Sequence, residues 1–201
     1  MREKDFYYTI DKEAVAEYKD RGSRFIAYTF AINSVEDFKA RLNTIKEEHP
    51  KASHHCFAYR LGFDGTEFRV SDAGEPSGTA GRPILGQIDS KELTNTLIVV
   101  VRYFGGTLLG VPGLINAYKN AAALALQVSA TVQKFKEVSY RLEFNYTAIN
   151  DVMRLVKQQG IRINRQDIQL FCLLEINVQK NREEWFLQQV ENLYDISYKK
   201  M

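Results

Sequence analysis

The chain has 201 residues, 45% of them apolar and 12% aromatic, with 27 basic against 25 acidic side chains. That composition excludes a disordered chain and leaves enough apolar material for one or two packed domains. A net charge of +2 is too small to draw nucleic acid or a membrane surface by whole-molecule attraction, so any anionic ligand has to be met locally. The longest aliphatic runs, Leu97 to Val101 and Ala121 to Leu126, fall far short of the roughly 20 residues of a membrane-spanning helix. Met1 to Asp5 mix both charge signs ahead of no long apolar stretch, which is not the pattern of a secretory signal. Cys56 and Cys172 lie far apart without paired spacing, the usage expected of reduced thiols in a cytoplasm.

In chain order, strands are expected near residues 6 to 10, 14 to 20 and 24 to 31. Ser34 and Asp37 then open a helix whose apolar face is Val35, Phe38, Leu42 and Ile45, and Pro50 closes it. Strands follow at 55 to 62 and 66 to 71, joined by the turn Phe63-Asp64-Gly65. The run Leu97 to Tyr103 is built on a continuous apolar, β-branched stretch, as expected of a central strand buried on both faces. An Ala-rich helix is expected from Pro112 or Gly113 to about Val132.

Past that helix, Val138, Tyr140, Leu142, Phe144 and Tyr146 alternate with polar residues as a half-buried strand. Ile149, Val152, Met153 and Val156 have helical spacing between a Thr147 cap and Gly160. Strands at 161 to 166 and 169 to 178 then form a hairpin. Asn181 and Glu184 read as a capping box for a helix carrying Phe186, Val190 and Leu193, and Tyr194 to Tyr198 gives a last strand. The order is βαββαβ, a ferredoxin-like unit. The domain boundary falls in Gln133 to Lys136, giving an α+β protein of two domains, 1–134 and 135–201. Residues 1 to 135 carry 17 basic and 16 acidic groups, so neither domain is a basic arm.

Two glycine-rich stretches are the places where chemistry could sit. One runs from Ser71 to Pro83 and holds Asp72, Glu75, Gly78, Thr79, Ala80, Gly81 and Arg82; the other runs from Arg102 to Gly113 and holds Tyr103, Gly105 and Gly106. Gly78 to Gly81 entering a helix would offer backbone N–H groups to an anion, with Arg82 adding a charge. The competing reading makes these glycines tight turns and close packing, with Thr79 an ordinary helix cap. Neither stretch fits a phosphate loop or a dinucleotide fingerprint. His54-His55-Cys56 is the only cluster of metal-type residues, and strand alternation puts His54 and Cys56 on one face. It supplies too few ligands for zinc, so no metal and no cofactor are expected. Asp72 and Glu75 could act as paired carboxylates or cap loop amides, and no catalytic residue is assigned.

The segments Asp72 to Pro83 and Val101 to Gly106, with Gly110, Gly113-Leu114 and Ala117-Tyr118, resemble the signature of the IMPACT family, in particular its YigZ-like bacterial branch. Ala52 to Arg60 and Arg21 to Phe25 are similar to the same family, and the match spans about residues 15 to 125. The resemblance implies a first domain with the fold of domain 2 of ribosomal protein S5, and a second resembling the last domain of elongation factor G. Eukaryotic members regulate translation by competing for the activator of a kinase that phosphorylates an initiation factor. That activity needs a further amino-terminal domain, which this sequence is not expected to hold. What carries over is a cytoplasmic protein acting near translation, with RNA, the ribosome or a translation factor as partner. The implied binding surface is where Gly78 to Arg82 meets Arg102 to Gly106, with Arg21, Arg24, His54 and Lys119 as neighbours. This chain departs from the family pattern at Ala73, where a second acidic residue is common, and at Leu108 and Asn116, where a lysine and an arginine are usual. Two phosphate contacts are thereby lost. An enzyme acting on a small anion held at Gly78 to Arg82, and a protein-interaction module, stand as the other readings.

Overall fold

The computed structural model describes residues 4–201; the charged opening Met1 to Glu3 lies outside them. Two compact units are present, Phe6–Lys134 and Phe135–Met201, the latter taking in Lys4 and Asp5. The architecture is mixed α/β, with three sheets and five α-helices among the described residues.

The larger unit is built on an antiparallel five-stranded sheet of β2 (Ala14–Asp20), β3 (Ser23–Ala31), β6 (Thr96–Tyr103), β4 (His54–Leu61) and β5 (Glu67–Ser71), in that spatial order. Helix α1 (Val35–Glu48) packs Phe38, Leu42 and Ile45 onto one face, against Phe57, Tyr59, Leu97, Val99 and Val101. Helices α2 (Gly81–Ser90) and α3 (Gly110–Val128) cover the other face, against Phe25, Ala27, Cys56, Ala58, Ile98 and Val100. Strand β6 therefore has a core on both sides, which is why its sequence shows no polar alternation. Ser34 caps α1 by accepting from Asp37 N at 3.1 Å, and Asp37 accepts in return from Asn33 N.

The Ala-rich helix ends at Val128, short of the expected Val132. Ser129 takes an extended backbone, bonds Thr29 through its hydroxyl at 2.7 Å, and starts β7 (Ala130–Phe135). β7 pairs with β1 (Phe6–Lys12) as a two-stranded sheet. Thr131 and Val132 favour a strand once a partner edge exists, and that edge lies more than a hundred residues away in sequence.

The smaller unit runs β8 (Glu137–Asn145), α4 (Ile149–Gln158), β9 (Arg162–Asp167), β10 (Phe171–Gln179), α5 (Glu183–Glu191) and β11 (Ile196–Lys200). Its antiparallel sheet has the order β11-β8-β10-β9. Tyr140, Leu142, Phe144, Leu174 and Ile176 face Val152, Val156, Phe186 and Val190 of the helices. Gly160 ends α4 with φ +60°. Neither expected side-chain cap forms. Thr147 and Asn181 sit inside the 3₁₀ turns Tyr146–Ala148 and Lys180–Arg182, so the cap positions fall to Ala148 and Arg182, which make no side-chain cap bond. The tightened i→i+3 turn supplies the lead-in that a side-chain oxygen would otherwise provide.

Candidate functional site

Antiparallel pairing brings the start of β3, the end of β6, the start of β4 and the end of β5 to one end of the five-stranded sheet. Arg24 lies opposite Tyr103, His54 opposite Arg102, and Phe57 opposite Ser71. Three loops leave this end: the 21–22 turn, the stretch from Asp72 to Ala80 that feeds α2, and the stretch from Phe104 to Leu109 that feeds α3. They hold most of the residues singled out by the sequence.

Asp72 organises the first glycine-rich stretch. Its Oδ2 accepts from Gly78 N at 2.8 Å, and its Oδ1 accepts from Ala80 N at 3.0 Å and Gly81 N at 2.8 Å. The amides that the sequence offered to an outside anion are thus filled by the protein's own carboxylate. Thr79 does not cap α2. Its buried hydroxyl donates to Pro76 O at 2.6 Å, and Ala80 occupies the cap position. Burial would raise the Asp72 carboxyl, but the three N–H bonds outweigh it and hold the group below the ordinary carboxylate range.

Glu75 sits in a second, drier cluster. Its Oε1 accepts from Arg102 Nη1 at 2.7 Å and from Tyr118 OH at 2.7 Å, with side-chain exposures of 3% for Glu75 and 6% for Arg102. The Arg102 guanidinium also lies 3.4 Å from Ser23 Oγ and over the rings of Phe25 and Phe104, 5.4 and 5.6 Å from their centroids. His54 Nδ1 is 2.9 Å from Ala73 O, so that nitrogen donates, while Nε2 stands 3.8 Å from Glu75 Oε1. Cys56 Sγ donates to Asp72 O at 3.0 Å, and burial pushes its thiol up to about 12. Such a thiol is not an activated nucleophile. Burial likewise raises the Tyr118 phenol.

The second glycine-rich stretch is locked to the 21–22 turn. Gly105 N donates to Ser23 Oγ at 3.2 Å, and a Cβ on Gly105 would fall 1.9 Å from the Gly22 carbonyl carbon. Only a bare backbone fits there. The sequence reading did not assign Ser23 or Tyr118 to the site. Their signal was a polar residue on a strand face and a phenol on an otherwise Ala-rich helix face.

Strand alternation separates some expected members. Arg102 points toward α2 and α3, but Tyr103 and Arg24 belong to the α1 face, where Tyr103 OH is 2.8 Å from His49 Nδ1 and Arg24 pairs with Glu17 at 2.8 Å. Arg21 and Gly106 are exposed in their loops, Arg82 is exposed on the first turn of α2, and Lys119 is exposed on α3. Phe104, Leu108 and Val111 are also exposed, Leu108 by 82%. Among the described residues no group of three or more His, Cys, Asp or Glu is placed to hold a metal ion, and no helix is long and apolar enough to cross a membrane. Chemically, the site has a base of internally hydrogen-bonded carboxylates and exposed arginine and apolar side chains on its loops.

The Impact N-terminal domain matches residues 21–126 of this chain. An IMPACT family member of Haemophilus influenzae is 36% identical over 182 residues, covering 89% of this chain and 88% of the relative. IMPACT family member YigZ of Escherichia coli is 38% identical over 156 residues, covering 77% and 76%. A solved structure described as the crystal structure of a hypothetical protein is similar with a TM-score of 0.79 and 30% identity, covering 98% of each chain.

Proposed function

Since the chain belongs to the IMPACT family, we propose that it is a translation-related regulator that binds an RNA-containing partner, the ribosome in the first instance, through the glycine-rich loop surface. The observation that carries this reading is the loop end of the five-stranded sheet, which carries exposed Arg82, Arg21 and Phe104 and whose two carboxylates are engaged from within, Asp72 by backbone N–H groups and Glu75 by Arg102. Phosphate recognition needs cations that are not consumed by internal pairs, and bases stack on exposed aromatic rings. Among the described residues Arg82 and Arg21 have no ion-pair partner. Arg102 supports this surface from beneath rather than touching a ligand. In this reading the larger unit takes the fold of domain 2 of ribosomal protein S5. The smaller unit, with its βαββαβ order and sheet order β11-β8-β10-β9, takes the ferredoxin-like fold of the last domain of elongation factor G.

The test is co-sedimentation with ribosomes, and filter binding to ribosomal RNA, across a salt series. Arg82→Ala is expected to weaken binding and to lower the slope of log affinity against log salt by about one. The reading fails if neither ribosomes nor RNA bind at low salt, or if Arg82→Ala and Arg21→Ala both leave affinity and slope unchanged.

A further inference from the structure

The four-stranded sheet of the smaller unit has helices on one face only, and the register of its other face sets out an ordered pattern. Ser197 on β11, Glu143 on β8, Leu173 on β10 and Asp167 on β9 are direct cross-strand partners, so they form one row. In that row an apolar side chain is bracketed by two carboxylates. Phe171, two residues from Leu173 on the same face and paired with Asn145, is 73% exposed. Leu170, 77% exposed, and Tyr146 continue the apolar surface around the hairpin tip, where Tyr146 N donates to Leu170 O at 3.0 Å. Ser197, Glu143, Leu173, Asp167 and Phe171 line an open depression of about 470 Å³ that has no basic residue in its walls. Among the described residues neither carboxylate has an ion-pair partner; Asp167 accepts only from the Gln169 side chain, at 3.2 Å.

We propose that this depression binds an extended polypeptide segment of the pattern basic–x–apolar–x–basic, whose alternate side chains share one face. Charge complementarity selects that occupant. Glu143 and Asp167 lie on strands either side of β10, about 10 Å apart at the usual strand spacing; the first and fifth residues of an extended peptide point the same way about 13 Å apart, so long basic side chains there reach both carboxylates. Such a segment lays its two cations on the two carboxylates and its central apolar side chain on Leu173 and Phe171. Nucleic acid is disfavoured at this spot, because its phosphates would approach the same two carboxylates. The nearest cations of this face, Arg141, Arg165 and Lys199, lie one row inward around Glu175, and Arg141 is already paired with Glu175 at 2.8 Å. This surface belongs to the smaller unit and the glycine-rich loops to the larger one, and either assignment can fail without the other.

The experiment titrates the full chain with fluorescein-labelled peptides carrying a central Lys-Ser-Phe-Ser-Lys, Glu-Ser-Phe-Ser-Glu or Lys-Ser-Ser-Ser-Lys, and with a labelled 12-nucleotide single-stranded RNA. Amide shifts of Phe171 and Leu173 locate the binding. The Lys-Ser-Phe-Ser-Lys peptide alone is expected to saturate and to move both amides. Glu143→Gln and Asp167→Asn should each weaken it by up to about fivefold, and Phe171→Ser should remove it, with melting and Trp185 emission unchanged. The proposal is overturned if the acidic peptide or the RNA moves these amides as strongly. It is also overturned if the carboxylate variants bind the basic peptide unchanged, or if the chain forms a dimer that Phe171→Ser dissolves, since a second copy would then be the occupant.

Discussion

Arg102→Met isolates the energetics of the buried cluster, because methionine keeps the stem of the side chain while removing the guanidinium. The change leaves the Glu75 carboxylate, 3% exposed, with only Tyr118 OH as a direct donor. Removing one partner of a buried pair costs about 3–5 kcal/mol, since the remaining charge stays desolvated, and the contacts with the Phe25 and Phe104 rings are lost too. For a unit of this size the melting temperature should fall by about 10 °C or more. The two units allow an internal control: the single tryptophan, Trp185, lies in Phe135–Met201. Far-UV circular dichroism should show the destabilised transition, while Trp185 emission should keep its wild-type midpoint in urea. Glu75→Leu combined with Arg102→Met should cost less than Arg102→Met alone, because no charge is then stranded. A loss under about 1 kcal/mol for Arg102→Met, or a double variant as damaged as the sum of the singles, would refute the description of a dry, mutually dependent pair.

The Gly105 contact gives a second test: Gly105→Ala should destabilise the larger unit by at least about 2 kcal/mol, because backbone would have to move. Gly86→Ala in α2, where a Cβ meets nothing within 4 Å, should instead stabilise by up to about 1 kcal/mol in the same melts. In the smaller unit, bonds from Lys180, Lys200 and Tyr140 hold the Glu183 carboxyl down to about 2, below its ordinary 4.5. A depressed carboxyl contributes its stability above the unfolded value and loses it as pH falls through the folded one. The urea midpoint read by Trp185 should therefore drop between about pH 4.5 and pH 2, and Glu183→Gln should lower the neutral-pH midpoint and flatten that dependence.

Much of the fold was legible because apolar periodicity survives in single sequences: the alternation from Val138 to Phe144 and the helical spacing of Ile149, Val152 and Val156 need no knowledge of partners. The features that escaped depend on distant or local backbone detail. Strand β7 exists because β1 lies alongside it, and the caps at Thr147 and Asn181 gave way to 3₁₀ turns. The two glycine-rich stretches were visible as a place, and their internal wiring was not. That Asp72 would reach forward to Gly78, Ala80 and Gly81, and that Arg102 would turn inward onto Glu75, are choices made by tertiary packing. Tyr103 was separated from Arg102 by ordinary strand alternation, which the continuous apolar run Leu97 to Val101 of β6 conceals.

The reach of Asp72 also changes what a solution anion encounters at the start of α2. A carboxylate tethered six to nine residues from the amides it fills competes at an effective concentration on the order of millimolar or more. A visiting phosphate has to displace a rival that never diffuses away. Free phosphate is consequently a poor competitor for those amides. Selectivity then passes to whatever ligand can use the arginine and aromatic rim without entering the nest.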